Sequence, residues 1–85
     1  MLVKFFVSNE CPKCRVVKDL FYTLNLMSKE MAYEMYNFDC VGDKYQFYFY
    51  NVLTVPTVII CNYDFKELNR YTGFDEIDKN KESFK

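Results

Sequence analysis

The chain has no histidine and no tryptophan, and each absence narrows what it can do. Without imidazoles, a zinc site would have to draw on thiolates, for which the candidates are the four cysteines, Cys11, Cys14, Cys40 and Cys61. Without indoles, the 20% aromatic content comes from eight Tyr and nine Phe, which read first as packing for a core in a chain that is 51% hydrophobic. A basic stripe is also missing. Formal net charge is −1 with both signs interspersed, so no nucleic-acid partner is expected, and there is no acidic tail to signal disorder. No apolar run is long enough for a membrane span, the longest being Val55 to Cys61, broken by Pro56 and Thr57. The opening MLVKFFV is too short and wrongly flanked for a secretory signal. Repeats, linkers and low-complexity segments are absent as well. The 85 residues suffice for one domain, residues 1–85, which at this size buries only about 60–65% of the surface its unfolded chain exposes. A cytoplasmic protein is expected. In that reducing compartment, a close cysteine pair is more readily catalytic or metal-binding than a structural staple.

The apolar run Leu2 to Val7, broken only by Lys4, suits a strand covered on both faces, and Ser8 to Glu10 form the turn that leaves it. From Pro12 to about Met27, the apolar residues Cys14, Val17, Leu20, Phe21 and Leu24 recur at helical spacing. Pro12 fits the first turn of that helix, where its missing N–H would have had no partner, and Cys11 falls at the N-cap. Ala32 to Phe38 reads as a second strand. A short helix follows over Lys44 to Tyr50, with Asp43 available as its cap. Val55 to Cys61 reads as a third strand that starts at a proline. Asn62 to Asp64 form a turn into a fourth strand, Lys66 to Tyr71, and a terminal helix is expected from Asp75 through Phe84. The order βαβαββα implies a sheet with a parallel portion and an antiparallel hairpin at its edge.

The chemistry is concentrated in Cys11-Pro12-Lys13-Cys14. A thiolate is the nucleophile, and an ordinary cysteine is only about 3% thiolate at pH 7, so something must lower its pKa. At the N-cap, Cys11 meets the exposed N–H groups and the positive end of the helix dipole, with Lys13 and Arg15 adding nearby positive charge. Cys14 lies one turn further in on the same face, within reach of Cys11 and less accessible to a bulky substrate. These positions predict Cys11 as attacking thiolate and Cys14 as resolving thiol in dithiol–disulfide exchange, with Pro12 and Lys13 tuning the pair. Two buried thiols acting as small hydrophobes are the structural alternative. A zinc site would need all four cysteines, and Cys40 and Cys61 form no second close pair, so no metal site is expected. Cys40 and Cys61 fall on strand ends and read as core residues.

Together these features resemble the thioredoxin superfamily, most closely its small glutaredoxin and glutaredoxin-like members. FFVSNECPKC, NVLTVPT and YTGFDE occur in the family's order and span nearly the whole chain. The resemblance implies an α/β minimal thioredoxin/glutaredoxin fold, with a four-stranded mixed sheet flanked by three helices. In Thr54-Val55-Pro56 the family's proline has a cis bond and faces the cysteines, and the backbone before it pairs with an extended substrate or with glutathione. A physical reason stands beside this: cis bonds are almost confined to X-Pro, and a cis turn leaves the preceding backbone groups free for a ligand. Gly73-Phe74-Asp75 resembles the glutaredoxin segment that holds the γ-glutamyl end of glutathione. The long span from Pro56 to Gly73 is instead similar to a thioredoxin hairpin. Phe5 stands where thioredoxins place a buried Asp, and Glu10 where they place a Trp. The resemblance implies a monomeric thiol–disulfide oxidoreductase that reduces disulfide-containing protein substrates. It would carry no tightly bound cofactor and draw electrons from glutathione, as co-substrate, or from thioredoxin reductase. The alternative it implies is a module in which Cys11 and glutathione hold an iron–sulfur cluster.

Overall fold

The computed structural model describes residues 1–27 and 30–85. Its strands β1 (Leu2–Val7), β2 (Ala32–Asn37), β3 (Thr57–Cys61) and β4 (Glu67–Thr72) form one sheet in the order β2-β1-β3-β4. β1 runs parallel to β2 and antiparallel to β3, and β3 runs antiparallel to β4. Helices α1 (Pro12–Met27), α2 (Lys44–Phe49) and α3 (Phe74–Lys79) cover the sheet, with single 3₁₀ turns at Val41–Asp43 and Lys81–Phe84.

β1 is apolar along its length because it is central and covered on both faces; all six of its residues are buried. Successive side chains point to opposite faces. On one face, Val3, Phe5 and Val7 join Val58 and Ile60 of β3 against Cys14, Val17, Phe21 and Leu24 of α1, Ile77 of α3 and Phe84. The Phe5 ring meets Phe21 and Phe84 edge-on, with centroids 5.4 and 5.9 Å away. On the other face, Leu2 and Phe6 join Ile59 and Cys61 against Phe47 and Tyr50 of the α2 region. The aromatic excess is therefore spent on two thin cores rather than one.

Several boundaries differ from the sequence reading, each for a local reason. β2 ends at Asn37, one residue short of the expected Phe38, although the Phe38 N–H still donates to the Val7 carbonyl at 2.9 Å. β3 begins at Thr57, so Val55 and Pro56 precede the strand; their peptide bond is cis. β4 covers Glu67–Thr72 rather than Lys66 to Tyr71, because the turn is longer than Asn62 to Asp64. It closes through Asn62 N–H on the Lys66 carbonyl at 3.0 Å, places Phe65 at φ 64°, and has the Asn62 side chain accept from Asp64 and Lys66 N–H. α2 stops at Phe49, and Asp43 does not cap it with its side chain. That carboxylate accepts instead from the Asn37 N–H at 3.0 Å, tying the helix start to the end of β2. The terminal helix divides at Asn80, whose side chain donates to the Glu76 carbonyl at 2.8 Å. Cys61 is buried as expected, but Cys40 is exposed in the loop after β2 and is no core residue.

Candidate active site

Cys11 and Cys14 form a disulfide, with Cα atoms 5.1 Å apart. Their spacing at the start of α1 makes this reachable: the Cys14 N–H donates both to the Cys11 carbonyl at 3.0 Å and to Cys11 Sγ at 3.2 Å. Cys11 thus occupies the N-cap role, its sulfur taking the place a Ser or Asp oxygen would fill. No acidic residue sits in the first turn of α1. Burial separates the two sulfurs: Cys14 is 0% exposed within the core facing α1, whereas Cys11 is half-buried at its rim. Phe5 packs in the same cluster as Cys14, so an apolar ring lies in the core on that side of the pair.

The parallel pairing of β1 with β2 places the turn before Cys11 beside the loop after β2. There the Asn9 N–H donates to Asp39 Oδ2 at 2.7 Å, Asn37 Nδ2 donates to Asn9 Oδ1 at 2.7 Å, and the Asp39 N–H donates to Asn37 Oδ1 at 2.9 Å. This network anchors the cysteine turn, and the sequence reading missed it. The signal was available in three short polar side chains at the ends of two strands read as parallel neighbours.

Pro12 and Lys13 are exposed in the first turn of α1. Lys13 reaches across to α3, its ammonium 4.8 Å from the centre of the Phe74 ring. Gly73, at φ 87° and ψ 156°, caps α3 and donates its N–H to the Pro56 carbonyl at 2.8 Å. The CPKC turn, Pro56 and Gly73-Phe74 are thereby linked. Lys13, Gly73, Phe74 and Asp75 line a common groove of about 550 Å³. Val55 and Cys11 both pack against the α1-side core. Thr54 is set apart: its carbonyl accepts from Thr57 Oγ1 at 2.7 Å, and with Val55 it lines a separate cavity of about 170 Å³ on the Phe38 and Phe47 side. Among the described residues, no hydrogen bond engages the backbone N–H or carbonyl of Val55.

No protein-family model matches the chain, and no curated protein matches it either. Solved structures do. Thioredoxin O2 from Arabidopsis thaliana, in its oxidised state, superposes with a TM-score of 0.74 at 19% identity, over 98% of this chain and 73% of that one. The short form of spinach chloroplast thioredoxin f gives 0.80 at 17% identity, over 96% and 70%. Fasciola hepatica thioredoxin gives 0.78 at 22% identity, over 95% and 75%. The chain has the thioredoxin fold. Within that fold, Cys11 and Cys14 form a disulfide at the start of α1.

Proposed function

We propose that the protein reduces protein disulfides by dithiol–disulfide exchange. The observation that carries this reading is the unequal burial of a bonded cysteine pair at a helix start, Cys11 half-buried and Cys14 wholly buried. In the reduced protein, the Cys14 N–H that now points at Cys11 Sγ stabilises a Cys11 thiolate, and Lys13 adds positive charge. Cys11 attacks a substrate disulfide, forming a mixed disulfide and releasing one substrate thiolate. Cys14 then attacks the Cys11 sulfur, expels the second substrate thiolate and leaves the Cys11–Cys14 disulfide; two electrons have passed to the substrate. Val55, which packs against the same core as Cys11, has unbonded backbone groups to offer an extended substrate chain. A thiol or dithiol donor restores the reduced pair, and glutathione or a thioredoxin reductase fills that role.

The test is the equilibrium of Cys11 and Cys14 in a glutathione redox buffer, quenched by alkylation and read by mass. A reversible two-electron couple is expected, and cysteines that stay reduced in every buffer would overturn the reading. A potential of about −200 to −230 mV, the glutaredoxin range, points to glutathione as donor and to the groove of Gly73 to Asp75 as its seat. A potential near about −270 mV, that of thioredoxin, points to a reductase.

A further inference from the structure

Cys11 opens on its other side onto a second groove, of about 520 Å³, whose lining includes Glu10, Arg15 and Lys18. Arg15 and Lys18 follow Cys11 along α1 at spacings that bring them to the same side of the helix, so both cations stand in line with the accessible sulfur. Four other cations, Lys4, Arg70, Lys81 and Lys85, each have a carboxylate partner. Among the described residues, Arg15 and Lys18 have none; Lys13, Lys44, Lys66 and Lys79 also lack one, but of these unpaired cations only Arg15 and Lys18 line this groove. Lys18 is also half-buried, its stem laid against the protein where it lines the groove. Beside the nucleophile, then, lies a cleft with an excess of unpaired positive charge and room for a side chain.

We propose that this groove selects substrates: it seats an acidic side chain that flanks the disulfide-bonded cysteine of the target, paired with Arg15 and Lys18 while Cys11 attacks. The inference rests on the disulfide-reductase reading and names the class of substrate that reading leaves open. An exposed ion pair is worth about a twofold to fivefold effect, so the two cations together give about a five- to tenfold preference for acidic flanks.

The test uses short peptide homodimers joined by one disulfide, with the cysteine flanked by Asp, Asn or Lys. Reduced protein converts each dimer to two peptide thiols while forming its own Cys11–Cys14 disulfide, and alkylation and mass follow both products. Each rate is divided by the rate with dithiothreitol, a neutral dithiol, to remove the intrinsic reactivity of the peptide. The Asp dimer is expected to react about five- to tenfold faster than the Asn dimer, and the Lys dimer slower than either. The preference should fade as salt shortens the Debye length from about 30 Å at about 0.01 M to about 3 Å at about 1 M. It should fall about twofold or more in Lys18→Gln and vanish in the double variant Arg15→Gln, Lys18→Gln. The readout is a ratio between substrates, so a changed Cys11 nucleophilicity cancels. Equal rates for Asp and Asn dimers, or a preference that survives the double variant, would overturn the selectivity and leave the reductase reading standing. No reduction of any dimer would overturn both.

Discussion

The ammonium of Lys4 donates to the side-chain oxygen of Gln46 at 2.8 Å, joining the central strand to α2 through a lysine only 2% exposed. The remaining donor capacity is met by the Tyr36 hydroxyl at 3.4 Å and the Glu34 carboxylate at 3.5 Å. Rings of Tyr36, Tyr50 and Phe65 lie 5.1, 4.9 and 5.3 Å from the charge. A buried ion tolerates replacement by an apolar side chain better than the loss of one partner. Gln46→Ala should therefore destabilise the fold by about 1–3 kcal/mol, through an under-coordinated ammonium, and Lys4→Met by less. Urea unfolding midpoints of the two variants decide it, and a larger loss in Lys4→Met would show that the lysine's own contacts, to Gln46 of α2 and Glu34 of β2, stabilise the fold more than its burial costs.

The unequal burial of the cysteines predicts unequal phenotypes. On the proposed mechanism, Cys14→Ser leaves the accessible nucleophile intact and removes the thiol that resolves the mixed disulfide. It should accumulate a covalent adduct with substrate, seen as added mass that dithiothreitol removes. Cys11→Ser should lose turnover altogether, because Cys14, 0% exposed, cannot present its sulfur to a protein disulfide. Turnover retained in Cys11→Ser would reverse the assigned roles.

The parts legible in the sequence are those fixed by neighbours along the chain. β1 and α1 follow from an apolar run and a helical spacing, and both begin and end at the expected residues. The Cys11–Cys14 disulfide follows from two thiols one helical turn apart. What the sequence hid depends on partners far along the chain. Lys4 looked like an interruption, but its charge is met by Tyr36 and Gln46, brought beside β1 only by the fold. Asp43 looked like a cap, but Asn37 offers its carboxylate a strand-end N–H that local rules do not weigh against the helix start. Cys40 looked like a core thiol because it was read at a strand end; the strand stops at Asn37 and leaves Cys40 in the exposed loop.

Alkaline pH should loosen the α2 side of the sheet. The Tyr50 hydroxyl is pushed above its ordinary value by burial first and then by its contact with Cys61, and it donates to the Phe65 carbonyl at 2.9 Å. Tyr36 is also pushed up, by burial and by its hydrogen bond to Glu34. Both folded values lie above those of the unfolded chain, so the neutral phenols contribute stability that is fully present below about pH 10 and is lost as pH rises beyond it. Unfolding midpoints should hold steady up to about pH 10 and fall above it, with a shallower fall in the double variant Tyr36→Phe, Tyr50→Phe. An equal fall in that variant would assign the alkaline loss to other groups.

The two glycines should respond to the same substitution with opposite signs. A Cβ built on either meets nothing within 4 Å, so sterics with neighbours cancel and only the backbone distinguishes them. Gly73 sits at φ 87° and ψ 156°, a region essentially restricted to glycine, and Gly73→Ala should cost about 1–3 kcal/mol. Gly42 lies in the 3₁₀ turn Val41–Asp43 with no positive φ, and there alanine should stabilise by about 0.4–1 kcal/mol by restricting the unfolded chain. The difference reaches the site as well as the fold. Gly73 N–H holds the Pro56 carbonyl at 2.8 Å, and Phe74 beside it carries the Lys13 ammonium, so any shift of the backbone at Gly73 is passed both to Pro56 and to Lys13 of the cysteine turn. Gly73→Ala should therefore slow disulfide reduction under conditions where it is still fully folded, while Gly42→Ala leaves the rate unchanged. Matched unfolding curves and reduction rates for the pair measure this, and a Gly73→Ala variant with normal turnover would mean that the Pro56 contact does not govern the geometry of attack.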